Sequence, residues 1–318
     1  MHAALEAMLQ ADGPILVACH GNPDGDTLGS GLALYHWIKG RGKDVGIYCV
    51  DPTPPLYCFL PGAAQVSQQV SPCALLVMAD IASPEMLGRH SAELMHDAQR
   101  IVCIDHHHTN SRYGDVSYVV DTASSTAEVV TALLLAAGED ITADMADCLY
   151  TGIVTDTGRF GFDYTTPQSL RMAAELMERG AHFENIQYRI FRQRSLARTG
   201  LLGTALGTLT VQCGGRFAYM KITMADLTAH GALPADAESI VNFAVELEGV
   251  ELAALLRENA AGAVKISLRS AGDADASTLA RSFGGGGHRK AAGCTVDGPM
   301  ETAEKTIAQA VKAALGCP

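Results

Sequence analysis

The stretch Cys19-His20-Gly21-Asn22-Pro23-Asp24-Gly25-Asp26-Thr27-Leu28-Gly29-Ser30 decides the fold. The apolar run 14–19 leads into it and reads as a short buried strand, and a helix-patterned segment, 27–39, follows. One imidazole and two carboxylates therefore occupy a strand-to-helix turn. In open α/β sheets such a turn lies at the carboxyl end of a strand, where ligands bind. Asp24 and Asp26 are two residues apart on a loop bent by Pro23 and Gly25, so both can face one point in space. Two anions that close repel unless a cation lies between them, which makes the turn a candidate metal site. Turn chemistry is the competing account, because Asn-Pro and Asp-Gly are ordinary turn pairs and Asp26 can simply cap the helix.

The pattern recurs downstream. A second strand is expected at 44–50, before a proline-rich loop at 52–55. The run ALLVMAD, 74–80, is too short for a typical helix, ends in Asp80 and reads as a buried parallel strand. Ser83-Pro84-Glu85 then opens a helix, with serine as cap and proline at the first position. RIVCIDHHH, 100–108, is again a short apolar strand running into Asp105, His106 and His107. Three strands thus end in metal-competent residues, and parallel strands bring their carboxyl ends to one edge. A helix is expected at 124–137, capped by Ser124 or Ser125 with Glu128 placed for a capping box. Another at 142–154 runs into Thr155-Asp156-Thr157-Gly158-Arg159-Phe160, where Asp156 offers a further carboxylate. Standing alone, Asp156 would read as a simple helix-end aspartate.

Helices are expected at 167–179, at 183–191 and, as a connector, at 195–207. From 208 the texture changes. Strands at 209–213 and 217–222 flank Gly214-Gly215 as a hairpin, and helices at 224–230 and 235–247 precede strands at 250–257 and 263–270. In the last of these Val264, Ile266 and Leu268 alternate with Lys265, Ser267 and Arg269, giving one apolar and one polar, basic face. The segment 277–283, a glycine loop at 284–293, a short strand and a helix at 299–315 complete the chain. Consecutive glycines let backbone N–H groups approach an anion, and His288 adds a donor of adjustable charge; a mobile loop is the alternative.

A chain of 318 residues suggests two domains, and 48% hydrophobic against 18% charged residues allows substantial cores. Nine cysteines without a CxxC pair give neither a disulfide framework nor a zinc-ribbon spacing. The net charge of −12 argues against long duplex DNA as a partner, yet permits small anionic substrates, because bound cations invert the sign of a carboxylate-rich pocket. No apolar run has the length of a membrane span and no signal-like start is present, so the expectation is a cytoplasmic protein with no membrane partner.

His20, Asp24, Asp26, Asp80, His106 and Asp156 form the candidate ligand set, with Asp105 and His107 beside them. Oxygen-rich ligation with imidazole and no thiolate suits Mn²⁺ or Mg²⁺ better than structural zinc. Six or more ligands imply two cations sharing a carboxylate, and such pairs, roughly 3.5–4 Å apart, run in-line displacement at phosphorus.

The motifs HGNPDGDTLGS (20–30), MAD (78–80), DHH (105–107), TDTGRF (155–160) and GGGGHRKAAG (284–293) resemble those of the DHH phosphoesterase superfamily, specifically its stand-alone nano-RNase and pAp phosphatase branch. The resemblance spans almost the whole chain. It implies an α/β fold: an N-terminal domain, 1–190, with a five-stranded parallel sheet and helices on both faces; a helical linker, 191–207; and a smaller C-terminal α/β domain, 208–318, with a mixed sheet, the active site lying in the cleft. It implies two divalent cations, Mn²⁺ first and Mg²⁺ or Co²⁺ as alternatives, one held by His20, Asp24 and Asp80 and the other by Asp26, Asp80, His106 and Asp156. Asp105 would orient its neighbours, His107 would contact the phosphate or assist the leaving group, and Ser267, Arg269, Gly286, Gly287 and His288 would clamp the substrate.

The implied reaction is in-line attack of hydroxide on phosphorus. Short RNA oligonucleotides would yield 5′-mononucleotides, or 3′-phosphoadenosine 5′-phosphate (pAp) would yield AMP. The resemblance leaves room for a homodimer. The superfamily also contains di-adenylate phosphodiesterases, RecJ-like exonucleases, which normally carry further nucleic-acid modules, and family II pyrophosphatases, which lack the GGGGH loop. A metal-dependent sensing module is the non-catalytic rival, and His107 beside an intact ligand set speaks against it.

Overall fold

Six strands pair side by side in the computed structural model, which describes residues 3–287 and 289–317. They are β1 (Ile15–Ala18), β2 (Val45–Tyr48), β3 (Val66–Ser67), β4 (Leu75–Ala79), β5 (Arg100–Asp105) and β6 (Val116–Val119). All neighbours are parallel, in the order β3-β2-β1-β4-β5-β6. Both faces of the central strands β1, β4 and β5 are buried, as befits a parallel sheet covered on each side. Ile15, Val17, Leu75, Val77, Val102 and Ile104 enter one core with α1 (Ala3–Gln10), α2 (Gly25–Lys39), α4 (Thr126–Ala136) and α5 (Ala143–Asp156). Leu16, Ala18, Tyr48, Leu76 and Met78 enter the other, with Leu87 and with Leu94 of α3 (Ser91–Asp97).

From β1 the chain winds outward to β2 and β3, and from β4 the opposite way to β5 and β6. The order therefore reverses between β1 and β4, and at such a switch point the connections part and leave a crevice beyond the strand ends. The turns after β1 and β4 hold His20, Asp24 and Asp80.

Several expectations need correction. The sheet has six strands among the described residues where five were implied, the extra being the two-residue edge strand β3. Helix α2 starts at Gly25, two residues early, and Asp24 rather than Asp26 is its cap. The segment opened by Ser83 is a 3₁₀ stretch, Pro84–His90, interrupted at Gly88 (φ 70°), and Ser83 makes no capping bond. Glu128 does not close a capping box, for its Oε2 accepts from the amide and hydroxyl of Ser124 and the hydroxyl of Ser169. The expected helix 235–247 is two short pieces, Pro234–Ala237 and Asn242–Val245, separated near Ser239, whose φ is 68°.

The chain divides into two compact units, Met1–Gln193 and Arg194–Pro318. The helix Leu196–Gly207, expected as a connector, belongs to the second, with Leu201 and Ala205 in its core. That unit has β7 (Thr210–Gln212), β8 (Phe217–Ile222), β9 (Leu252–Glu258), β10 (Ala263–Ser270), β11 (Gly286–Gly287) and β12 (Ala291–Asp297), in the order β11-β12-β10-β9-β8-β7. Only the β8–β9 pair is parallel among the described residues, so the sheet is mixed. Its apolar face, with Val264, Ile266 and Leu268, packs on Ile307 and Val311 of the helix Met300–Leu315. Among the described residues no helix is long and apolar enough to cross a membrane.

Candidate metal centre

Local bonds aim the side chains. Asp24 accepts the N–H groups of Asp26 and Thr27 at 3.0 and 3.1 Å, which fixes the start of α2. The Thr27 hydroxyl donates to the carbonyl of Ala79 (3.0 Å) and accepts from the His20 amide (3.2 Å), so it ties the end of β1 to the end of β4. Asp80 follows with φ 63°, a left-handed conformation that costs a non-glycine residue strain. Its amide donates to Ile104 (3.0 Å), and the Thr126 hydroxyl donates to its Oδ1 (2.8 Å). Asp26 is buried and accepts the amides of Thr126 and Ala127, at 2.6 and 2.8 Å, at the positive end of α4. Asp156 is the last residue of α5, and α5 reaches the cluster because two glycines let it lie against its neighbours. A Cβ on Gly29 of α2 would sit 2.4 Å from the Cys148 carbonyl, and one on Gly152 would sit 2.5 Å from Ala127 Cβ and 2.8 Å from Asp26 Oδ1.

The six expected ligands converge. Nε2 of His20 lies 3.8 Å from Asp24 Oδ1 and 3.5 Å from Asp80 Oδ2. Nε2 of His106 lies 3.7 Å from the other Asp80 oxygen, 3.5 Å from Asp156 Oδ2 and 4.0 Å from Asp26 Oδ2. Donor atoms of His20, Asp24 and Asp80 lie within 4.8 Å of one another, as do those of Asp26, His106 and Asp156. Asp80, Oδ2 toward one triad and Oδ1 toward the other, stands between them. His107 is the third partner of another such group, with Asp80 and His106.

Four carboxylates this close cannot all hold full charge without compensation. Burial, then the charges of Asp80, Asp156 and Asp24, push Asp26 well above the usual carboxylate range. Burial and the charges of Asp80 and Asp24 raise Asp156 to about 8. Burial opposes charge on Asp80 as well, but hydrogen bonding to His20 and the charges of the three imidazoles outweigh it and hold Asp80 down at about 2. For His20, burial is outweighed by the Asp80 bond and the charges of Asp24 and Asp80, which raise it to about 9. Protons thus take up the positive charge that the cluster demands.

The imidazoles fit divalent cations in that role. A carbonyl oxygen only accepts, so His20 Nδ1, 2.8 Å from Gly21 O, and His106 Nδ1, 3.2 Å from Ala123 O, carry the hydrogen and leave each Nε2 lone pair facing the carboxylates. His107 is held differently. Its Nδ1 donates to Asp105 Oδ1 (2.8 Å), which also takes the His106 amide (2.8 Å), while Asn110 Nδ2 donates to Asp105 Oδ2 (2.6 Å). The bond to fully buried Asp105 outweighs burial and raises His107 to about 8. Thr27, Thr126 and Asn110 went unread as site residues. Thr126 abuts the Ser124-Ser125 cap and Asn110 follows the histidines, but neither spacing reveals a contact with a carboxylate.

In the second unit Ser267 and Arg269 lie half-buried on β10. The Arg269 guanidinium donates to the Leu268 carbonyl (3.0 Å), and among the described residues no carboxylate pairs with it within 4.0 Å. Burial lowers its pKa, a sign that an anion would be welcome. Gly286 and Gly287 form β11 rather than a free loop, with Gly286 opposite Gly293 and Ser267 opposite Gly293 on the other side. A Cβ on Gly287 (φ 136°) would meet Ala291 O at 2.6 Å, so close chain approach is one reason for glycine there, beside the access to an anion read above. His288 lies outside the described residues.

Residues 14–153 match the model of the DHH family, N-terminal domain, and 214–316 that of the DHHA1 domain. The bifunctional oligoribonuclease and PAP phosphatase NrnA of Thermus thermophilus is 35% identical over 98% of this chain and 93% of its own. The protein of the same name from Bacillus subtilis is 27% identical over 89% of each. Among solved structures, an exopolyphosphatase-related protein from Bacteroides fragilis superposes with a TM-score of 0.91 at 27% identity, over 97% of this chain and 94% of that one.

Proposed function

The chain belongs to the DHH family, and on that footing we propose that it is a metal-dependent phosphoesterase that cleaves short oligoribonucleotides to 5′-mononucleotides and pAp to AMP. The observation that carries the reading is the pair of triads with Asp80 between them, its two oxygens 3.5 and 3.7 Å from His20 and His106. In this reading His20, Asp24 and Asp80 hold one cation and Asp26, Asp80, His106 and Asp156 the other, with Mn²⁺ preferred and Mg²⁺ or Co²⁺ as substitutes. Bound there, the cations supply Lewis acidity and a lowered pKa for the attacking water.

The protein's own groups do the rest. Asp105 keeps the His107 Nδ1 hydrogen in place, so the proton that His107 can give up is at Nε2. With both ring nitrogens protonated, His107 can pass that proton to the departing ribose oxygen. Arg269, with no carboxylate of its own among the described residues, together with Ser267, Gly286, Gly287 and His288, would hold the phosphate that is not cleaved. A clamp for one terminal phosphate favours very short substrates, since long strands need an extended basic and aromatic track.

A turnover panel with Mn²⁺ tests this: pAp, RNAs of a few nucleotides, a long single-stranded RNA, linear and cyclic di-adenylate, and pyrophosphate. Release of AMP and 5′-mononucleotides from pAp and the short RNAs, with little from the long one, is expected. Comparable degradation of the long RNA would overturn the short-substrate reading, and cleavage of pyrophosphate alone would overturn the nucleotide reading.

A further inference from the structure

The turn that leaves Asp156 carries two aromatic rings that the chemistry above does not use. Phe162 is 51% exposed and Tyr164 48%, their ring centroids 5.6 Å apart and their planes inclined by 45°. Two exposed rings together are a contact surface rather than scattered apolar residues, because each can bury a large area on a partner.

The turn holds them firmly. The amides of Gly161 and Phe162 both donate to Thr157 O, at 3.0 and 3.1 Å, and the amide of Thr165 donates to Phe162 O (3.1 Å). The Tyr164 hydroxyl donates to the main-chain carbonyl of Asp156 (2.8 Å), which ties the ring to the backbone of a residue in the carboxylate cluster. The Phe162 ring lies against Gly158, where a Cβ would come within 2.5 Å of it. Arg159 and Phe160 adopt φ 60° and 65°, so strain is spent on bringing the chain back past Asp156.

We propose that Phe162 and Tyr164 form a stacking platform for the nucleobase of the nucleotide whose phosphate ester is cleaved. Tyr164 ties the rings to Asp156, so a nucleotide whose phosphate ester is held at the carboxylate cluster can reach them with its base. A π face accepts any base, which gives selection for nucleotides over other phosphoesters without selection for sequence. The proposal rests on the phosphoesterase reading.

The test compares kcat/KM for pAp with that for ribose 3,5-bisphosphate, its counterpart without a base, in the native chain and in Phe162→Ala, Phe162→Tyr and Tyr164→Phe. The native preference for pAp should fall about tenfold in Phe162→Ala, mainly through KM, and persist in Phe162→Tyr. Tyr164→Phe keeps a ring but loses its tether, and should fall part of the way. An unchanged preference in Phe162→Ala would overturn the platform. If the native chain hydrolysed neither compound, the phosphoesterase reading would fall, and equilibrium binding of AMP against ribose 5-phosphate would still decide the platform. Tighter AMP binding that Phe162→Ala removes would uphold it, and equal binding of the two ligands would overturn it.

Discussion

Asp80 is left-handed and buried, a member of one triad with its other oxygen 3.7 Å from His106 of the second, and the proposed function makes it the shared ligand. Asparagine keeps its size and tolerates that backbone region, so Asp80→Asn should fold while losing more turnover than the roughly 10–100-fold typical of an outer partner. Turnover within a factor of a few of native would show that Asp80 is not shared. His107 can be separated from the ligands in the same way. His107→Ala should lower kcat by roughly 10²–10⁴-fold and leave Mn²⁺ uptake intact, as loss of a proton donor does. Mn²⁺ uptake falling in parallel, measured by equilibrium dialysis, would make His107 a ligand. The identities of these residues were legible in the sequence because each stands at the end of an apolar run. Thr126 was not, since its bond to Asp80 spans 46 positions and nothing local marks it.

At the level of elements, β1, β4 and β5 were legible because strands buried on both faces are continuous apolar runs. The edge strands left no such trace, β3 because it has two residues and β6 because every one of its four is only half-buried. The crossing of α2 and α5 was equally hidden, for it depends on glycines 123 positions apart in the chain, Gly29 and Gly152. It can be tested by adding one methyl group. Gly152→Ala forces Cβ against Ala127 and Asp26, and should destabilise the fold by about 1–3 kcal/mol in denaturant unfolding. Mn²⁺ affinity should weaken in the same variant, because Asp26 and Asp156 would be pushed apart. Native affinity in a destabilised Gly152→Ala would show that the crossing supports the fold alone.

For the molecule as a whole, charge in the cluster links stability to pH. Without metal, Asp156 lies at about 8 and His20 at about 9, both above their ordinary 3.8 and 6.5. Folded protein therefore binds these protons more tightly than unfolded protein, and their contribution, full at low pH, is lost as pH rises toward those values. Asp80, held down at about 2, acts in the opposite sense only in acid, where its contribution disappears as pH falls through that value. The Tm of metal-free protein should thus decline between about pH 6 and 9, and the rise in Tm on adding Mn²⁺ should grow over the same range, because cations and protons compete for one set of donors. A metal-free Tm that is flat across that window would contradict the electrostatics. The central claim, that three strand ends and one helix end hold a pair of divalent cations through Asp80, is tested most directly by Mn²⁺ titration followed by electron paramagnetic resonance. Two ions per chain with an exchange-coupled spectrum, reduced in Asp80→Asn to uncoupled or absent Mn²⁺, is the predicted result; a single uncoupled ion in the native chain would contradict it.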